Sequence, residues 1–397
     1  MGAHYAEAAA GTPDRWGLGL RASDPRKILV TVTLVINRHA MSLRRLARSS
    51  GLGVAVVLGV GLATSGAACR GGCSRPAVVA SPAARAVAWF PAEARIVLSI
   101  DFARLRAAPL WAALGALATA DPADQQKIEE LARRTGFDPL KQVDSLTVAF
   151  PEEARTQGGM GVILRGRGLD ESRLIAYVRD QVAGQGDDVF SVRRAGRTLW
   201  ATRREPATAG FFVGDGVLVI GTGGWAEKMA ELSSGGGAPG PDGGGPASAN
   251  ASLVHLIERA DPARAVWGAA IVPAATRAAL AADPKVPAAA SINRMALGVE
   301  AAAGVDARLI ADLATRAEAE EMARQVGAAL LAAKRSPQVM LLGLAPYLDG
   351  VAAHVSGVSC EVTVHLSPQQ TTDAIERLRA FVALARQGAI PGFPRAF

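Results

Sequence analysis

Hydrophobic and polar residues alternate over short stretches of the chain beyond residue 90, and stretches with helical spacing lie between them. A period of two is typical of half-buried strands, and a spacing of three and four is typical of amphipathic helices. The order strand, helix, hairpin, helix, hairpin, helix occurs twice, with turns at Ala195-Gly196 and Ser356-Gly357. This pattern predicts an α+β fold with antiparallel sheets, helices packed on one face, and two loosely similar halves.

A glycine- and proline-rich tract separates the two halves. Residues 233–250 read SSGGGAPGPDGGGPASAN, a composition that predicts a flexible linker rather than a packed segment. We therefore expect one α+β half over 89–232 and another over 251–397. The halves open alike, with Ala94-Arg95-Ile96-Val97 in the first and Ala263-Arg264-Ala265-Val266 in the second.

A second internal similarity links Thr222–Ala230 with Thr315–Ala323, where Thr, Ala, Glu, Met and Ala recur at the same spacing. Thr315 and Glu318 also fit a capping box, in which each residue satisfies a backbone N–H of the other. The two similarities imply different offsets along the chain. They therefore indicate a shared strand–cap–helix pattern more firmly than a duplication.

Residues 41–69 have the pattern of an export signal. Three arginines precede Gly51–Leu62, an apolar run whose 12 residues suit a signal peptide: Arg44, Arg45 and Arg48. The alternative is a retained membrane helix over 49–68, which has the length to span a bilayer. Five glycines in or beside that stretch lower its helix propensity, so we predict a signal peptide over 41–68.

Small residues, Ser-Gly-Ala-Ala at 65–68, lead directly into Cys69. A cysteine after such a run resembles the lipobox of bacterial lipoproteins, and the resemblance implies that the Cys69 thiol is lipidated and becomes the new N-terminus. Gly66 stands where that motif usually has leucine. Ordinary cleavage after Ala68 is the alternative, and it would give a soluble periplasmic or secreted protein.

Two segments flank this leader. Met41 offers a second start of translation besides Met1, and we expect residues 1–40 to be a disordered upstream extension. A second targeting element is the alternative for that segment. Residues 69–88 combine small residues with proline, as expected of a tether between a membrane anchor and a folded domain.

Most of the positive charge lies in the leader. Residues 1–68 hold 8 of the 43 Lys and Arg and 3 of the 36 Asp and Glu, so the rest of the chain carries a net charge of only +2. This charge gives no electrostatic basis for nucleic-acid binding. Half of the residues are hydrophobic, which is enough for a substantial core.

The three cysteines are too few for a disulfide scaffold in a chain of 397 residues. If Cys69 is lipidated, Cys73 and Cys360 remain to pair in an oxidising compartment. The interpretation that we favour treats Cys360 as an ordinary strand residue, because it lies in an alternating run.

Catalytic and cofactor motifs are missing from the sequence. There is no GxSxG, HExxH or P-loop pattern, and no GxGxxG followed by the required helix. Cysteine and histidine do not cluster with zinc-ligand spacing either. We therefore predict no catalytic, cofactor-binding or metal-binding residue, and no cofactor.

Several residues are of types that can carry chemistry. Asp101 ends a predicted strand, and helix capping is the reading that we favour over catalysis. His354 and His365 lie on facing strands, with Glu361 as the nearest carboxylate, and cross-strand polar pairing is favoured over a site. For Gly221–Gly224 a tight strand-to-helix turn is favoured over an anion site, and for Trp89 with Phe90 a core or tether-docking role is favoured over a ligand platform. His255 lies on a short predicted helix.

The opening of the folded part resembles uncharacterised secreted bacterial lipoproteins of unknown function. The resemblance rests on Phe90-Pro91-Ala92-Glu93, on Ile100-Asp101 and on Leu105 with Pro109-Leu110-Trp111. It covers about 25 residues beside the leader, and the family offers no known active site to transfer.

These observations predict an exported lipoprotein of the cell envelope, anchored to a membrane through Cys69, with a non-enzymatic binding or structural role. One alternative is an envelope hydrolase with a scattered active site. Another is a peptide-binding module that uses a sheet edge. The expected partners are a membrane and a protein or peptide, and not nucleic acid.

Overall fold

The computed structural model describes residues 81–109, 111, 122–152, 159–184, 186–203, 207–235, 245–281, 290–341 and 343–386. The predicted leader, Cys69, Cys73 and most of the predicted tether lie outside these residues. The description below concerns the folded part that follows them.

Twelve strands are present in the described part of the chain. They are β1 (Ala94–Asp101), β2 (Val143–Pro151), β3 (Gly161–Gly166), β4 (Val189–Arg194), β5 (Arg197–Thr202), β6 (Thr208–Phe212), β7 (Val217–Thr222), β8 (Val266–Ile271), β9 (Arg294–Glu300), β10 (Val305–Asp312), β11 (Val351–Ser356) and β12 (Ser359–Leu366).

The described residues also form eleven α-helices. They are α1 (Pro82–Ala86), α2 (Phe102–Arg106), α3 (Pro122–Thr135), α4 (Pro139–Gln142), α5 (Glu171–Ala183), α6 (Trp225–Ser233), α7 (Ala251–Ala260), α8 (Ala274–Ala281), α9 (Arg316–Lys334), α10 (Pro337–Leu341) and α11 (Pro368–Arg386).

Capping side chains determine where the longer helices begin. The Asp170 carboxylate accepts the backbone N–H of Arg173 at 3.0 Å, and α5 starts at the next residue, Glu171. Thr315 and Glu318 form the predicted capping box of α9. Hydrogen bonds from the Ser291 and Thr315 hydroxyls hold the pKa of the Glu318 carboxyl below its ordinary value.

The strands form one antiparallel sheet in the order β11-β12-β10-β9-β8-β1-β2-β3-β7-β6-β5-β4. The two halves meet where β1 pairs with β8, and Val97 lies opposite Ala269 there. The two predicted halves therefore share a single sheet. The α+β class and the antiparallel pairing are confirmed.

The two halves repeat one topology on either side of this pair. In each half three strands form a meander, a helix follows, and the last strand of a later hairpin returns beside the third strand of the meander. The first half does this with β1-β2-β3, α5 and β6-β7, and the second with β8-β9-β10, α9 and β11-β12. The β4–β5 hairpin occurs only in the first half. The predicted similarity of the halves is confirmed at this coarse level.

The topology agrees with one of the two internal sequence similarities and not with the other. The segments at Ala94 and Ala263 lead into β1 and β8, which occupy equivalent places. The Thr222 and Thr315 segments begin α6 and α9, which are not equivalent, because α6 follows the last strand of its half and α9 follows the third. Only the first similarity matches the repeated topology.

Helices cover both faces of the sheet, whereas the sequence analysis expected them on one face. Face one, which carries Val97, Ile163 and Ala269, packs against α1, α6 and α7 in the largest core cluster. Face two carries Val148 and Leu164 under α3 and α5, and Ala311 under α9. Central strands that carry apolar side chains on both faces need cover on both sides.

Part of the predicted linker is packed in the structure. Ala247 is fully buried, and its backbone N–H donates to the Phe90 carbonyl at 2.7 Å. The Asn250 side chain then accepts the backbone N–H of Leu253 and caps α7. Residues 245–250 therefore belong to the folded core, and 236–244 lie outside the described residues.

Two glycines offer a test of this packing. A Cβ on Gly221 would lie 2.3 Å from the backbone nitrogen of Ala226, so Gly221→Ala must displace α6. A Cβ on Gly327, within α9, would meet nothing within 4 Å. We expect Gly221→Ala to lower the free energy of unfolding by about 1–3 kcal/mol or more. Gly327→Ala should raise it by up to about 1 kcal/mol.

Urea denaturation of both variants gives the comparison. Equal effects of the two substitutions would contradict the close approach of α6 to β7.

Candidate functional site

Asp101, the best acidic candidate from the sequence, is used as a helix cap. Its Oδ1 accepts the backbone N–H of Arg104 at 2.9 Å and begins α2. Its own N–H donates to the Ala265 carbonyl at 2.7 Å, so it also joins the two halves. In the register it lies opposite Ser145 of β2. This arrangement is the capping role that the sequence favoured.

The two strand histidines do not form a pair. His354 lies opposite Glu361, whereas His365 is four residues further along β12 and lies opposite Asp306 of β10. Four residues along a strand correspond to roughly 13 Å. The hairpin register therefore separates His354 from His365, which the sequence places on facing strands.

Neighbouring ion pairs already occupy the acidic residues near these histidines. Glu361 accepts a hydrogen bond from Arg308 at 3.1 Å, and Asp306 accepts one from Arg264 at 2.8 Å. His365 Nδ1 lies 3.8 Å from the other oxygen of Asp306, and 70% of its side chain is exposed. These histidines and their charged neighbours form a solvent-exposed polar surface across β10, β11 and β12 on face one.

The glycine run at Gly221–Gly224 serves a tight turn from β7 into α6. Gly223 and Gly224 have positive φ, at 58° and 79°, which glycine adopts without strain. The Thr222 hydroxyl accepts the backbone N–H of Met160 at 3.0 Å. These contacts support the structural interpretation of the run over an anion site.

A buried ion cluster around Asp312 escaped the sequence analysis. Only 7% of the Asp312 side chain is exposed, and Arg259 Nη1 lies 2.8 Å from both of its oxygens. The Ser359 hydroxyl donates to Oδ1 at 2.7 Å, and Arg294 Nε lies 3.6 Å from Oδ2. The cluster ties α7 to β9, β10 and β12. The sequence held one indication of this cluster, which is a lone aspartate at the end of an apolar strand together with an arginine on a nearby helix.

A surface cleft of about 680 Å³ lies at the start of α5. The Asp170 carboxylate in its wall is already engaged, because hydrogen bonds from the Arg173 backbone and the Ser172 hydroxyl hold its pKa below the ordinary value. Glu171 accepts the indole N–H of Trp200 at 2.7 Å. The lining residues are Thr135, Gly136, Gly168–Arg173, Phe212, Gly214 and Asp215.

The remaining candidates are core or surface residues. Cys360 is a free, buried thiol under α9, and burial together with the Glu361 charge raises its pKa, which keeps it protonated. Phe90 is fully buried in the core, and the Arg165 guanidinium carbon lies over the Trp89 ring, 5.4 Å from its centre. His255 is 66% exposed on α7.

The sheet ends at two edge strands, β4 and β11, of six residues each. Within the described part of the chain, no backbone hydrogen bond reaches the outer side of either strand. The edge of β4 carries exposed Arg193 and Arg194, and Asp187 and Asp188 precede it. The edge of β11 has His354 as its only ionisable residue.

Two negative findings apply to the described residues. No group of three or more His, Cys, Asp and Glu side chains there could hold a metal ion. Of the helices in that part of the chain, none has both the length and the apolar character needed to cross a bilayer.

Comparison with known proteins gives only distant structural similarity. No family model matches the chain, and no curated protein matches it. Crystal form III of TP0453 matches at 12% identity and a TM-score of 0.39, over 73% of this chain and 96% of that one. Crystal form I matches at 11% and 0.36, over 74% and 96%, and form IV at 10% and 0.38, over 76% and 100%. Similarity at this level carries no argument about function.

The capping role of Asp101 predicts a specific mutational pattern. Asp101→Ala should lower the free energy of unfolding by about 1 kcal/mol, since the backbone N–H at the start of α2 loses its acceptor. Asp101→Asn is the matched control and should stay close to the wild type, because asparagine caps helices equally well. Urea denaturation measures both. An asparagine variant as unstable as the alanine variant would contradict a pure capping role.

The Asp312 cluster predicts a much larger effect. Asp312→Ala should cost about 3–5 kcal/mol of unfolding free energy, because Arg259 is left with its charge half-buried and unpaired. Asp306→Ala is the control on the same strand, because 39% of the Asp306 side chain is accessible and Arg264 keeps a second carboxylate, Asp261, at 3.6 Å. A surface pair of this kind contributes about 0–1 kcal/mol. Similar losses in both variants would show that the Asp312 cluster is not the stronger tie.

Proposed function

We propose that this protein is an exported lipoprotein of the cell envelope, anchored through Cys69, whose folded body has a non-enzymatic binding or structural role. The observation that carries the proposal is the order of segments in the sequence. A basic, apolar leader ends in small residues and Cys69, a polar segment follows, and the folded body begins shortly afterwards.

The spacing between the cysteine and the body is consistent with a membrane-proximal role. Ser81, which caps α1, follows Cys69 by twelve residues in the sequence. An extended chain of that length reaches at most about 40 Å. Anchoring through Cys69 would therefore hold the body close to the membrane surface.

The position of α1 is also consistent with an anchor that leaves the two sheet edges uncovered. Ala83 and Val87 are fully buried on face one, where α1 packs against α7. The chain therefore enters the body above the middle of the sheet, beside β1. Both edge strands lie several strands away from β1 in the sheet order.

The positions of the catalytic candidates give no support to the hydrolase alternative. Asp101 caps a helix, and His354 and His365 are separated by the register of their hairpin. A hydrolase requires at least a nucleophile or activated water and a base within hydrogen-bond reach of each other.

The proposal is tested by the mass of the mature protein. Full-length chain expressed with its own leader is purified from the membrane fraction and analysed as the intact protein. We expect an N-terminus at Cys69 that carries added acyl mass, because the thiol is the lipidation site. Cys69→Ala should lose the acyl mass and leave the membrane fraction.

Cys73→Ala is the matched control, since it removes the neighbouring thiol and leaves the predicted lipidation site intact. It should keep the acyl mass and the membrane association. A wild-type N-terminus other than Cys69, without acyl mass, would disprove the lipoprotein assignment.

A further inference from the structure

We propose that the β4 edge binds the β4 edge of a second copy of this chain, so that two antiparallel sheets join into one across a two-fold axis at Ser191. This inference goes beyond the proposed anchoring and does not depend on lipidation of Cys69. It rests on the shape of the edge and on the order of charges along it.

The edge of β4 is preformed for strand addition. Six consecutive residue pairs join it to β5, from Val189 opposite Thr202 to Arg194 opposite Arg197. The two-residue turn at Ala195-Gly196 has φ of 48° and 76°, as in tight hairpins. The outer backbone groups of such a strand are a template for another strand, and no described segment pairs with them.

The two ends of this edge carry charges of opposite sign. Asp187 and Asp188 precede the strand, and Arg193 and Arg194 end it. Both arginines are exposed and make no ion pair with any described residue. The Asp187 carboxylate accepts two backbone N–H groups, from Asp188 at 2.8 Å and Arg203 at 3.3 Å, which leaves Asp188 as the freer carboxylate.

An antiparallel copy of the same strand matches this order. With Ser191 opposite its own equivalent, Asp188 lies opposite Arg194 of the other copy and Phe190 lies opposite Val192. Both pairs occur twice because of the two-fold symmetry. Residues directly opposite share a face, and here both pairs lie on face one, where Phe190 pairs with Ala201 and Val192 with buried Leu199.

The opposite edge of the sheet lacks this complementarity. Strand β11 reads Val-Ala-Ala-His-Val-Ser and carries no residue of fixed charge. Asp349, just before it, is already paired with Lys334. An antiparallel copy of β11 would therefore form no ion pair, and β11 is the natural internal control.

The proposed two-fold axis would also allow both copies of the dimer to be anchored in the same membrane. Antiparallel pairing of identical edges requires an axis perpendicular to the sheet, which keeps face one on the same side in both copies. The start of α1 lies on face one. Both tethers would then leave the dimer on the same side.

Charge exchange tests the register directly. The full-length chain carrying Arg194→Asp places two aspartates opposite each other at each end of the interface, and Asp188→Arg places two arginines there. Each variant alone should dimerise at least about tenfold more weakly than the wild type. An equal mixture of the two variants should dimerise as well as the wild type, because each end regains one Asp–Arg pair.

The measurement is native mass spectrometry of the detergent-solubilised chain over a concentration series, with thermal unfolding to show that the variants remain folded. A wild-type chain that stays monomeric, or single variants that dimerise as strongly as the wild type, would overturn the proposal. So would a mixture that fails to form the heterodimer.

Cross-linking through the axis gives an independent readout. In a Cys69→Ala, Cys73→Ala background, Ser191→Cys should yield a disulfide-linked dimer under oxidising conditions, because directly opposed residues of antiparallel strands have Cα atoms about 4.5–5.5 Å apart, which a disulfide can span. His354→Cys on β11 is the matched control and should remain monomeric. Equal cross-linking of both variants, or none at Ser191→Cys, would contradict pairing through β4.

Discussion

The antiparallel pairing of β1 with β8 is the contact on which the architecture depends. It joins two halves that each lack cover for one side of their first strand, and it creates a single twelve-stranded sheet. Asp101 and Ala265 extend the junction by one backbone hydrogen bond. Because both halves contribute apolar side chains to the face-one core, neither half has a complete core without the other. The glycine-rich tract therefore connects two parts of one folded unit.

Local structure was largely predictable because it is encoded by short-range chemistry. The capping box of α9 and the β4–β5 turn at Ala195-Gly196 lie where the sequence predicts them, since residues only a few positions apart determine both. The two-face arrangement of helices was not predictable in the same way. Alternation tells which residues share a face, but it does not tell which helix covers that face, and strands such as β3 are buried on both sides.

The candidate functional residues also divide into those whose role the sequence predicts and those whose contacts it does not. The capping role of Asp101 followed from its position before a helix, and the structure places it there. The separation of His354 from His365 depends on the hairpin register, which two-residue turn chemistry sets at Gly357 and which the histidine positions alone do not reveal. The Asp312 cluster was missed because its arginine partner Arg259 is 53 residues away in sequence. The lone aspartate at the end of an apolar strand is visible in the sequence, but no local pattern identifies so distant a partner.

The position of β1 has a mechanical consequence. A pull on the chain from its N-terminal side reaches α1 first, and this helix of five residues is held by apolar contacts through Ala83 and Val87. The next element is β1, which is clamped between β2 and β8 along its length. Tension along a strand held on both sides loads the two ladders in shear, so their hydrogen bonds must break together rather than one after another. The fold thus meets stress from that end with a short helix backed by a strand that is hydrogen-bonded on both sides.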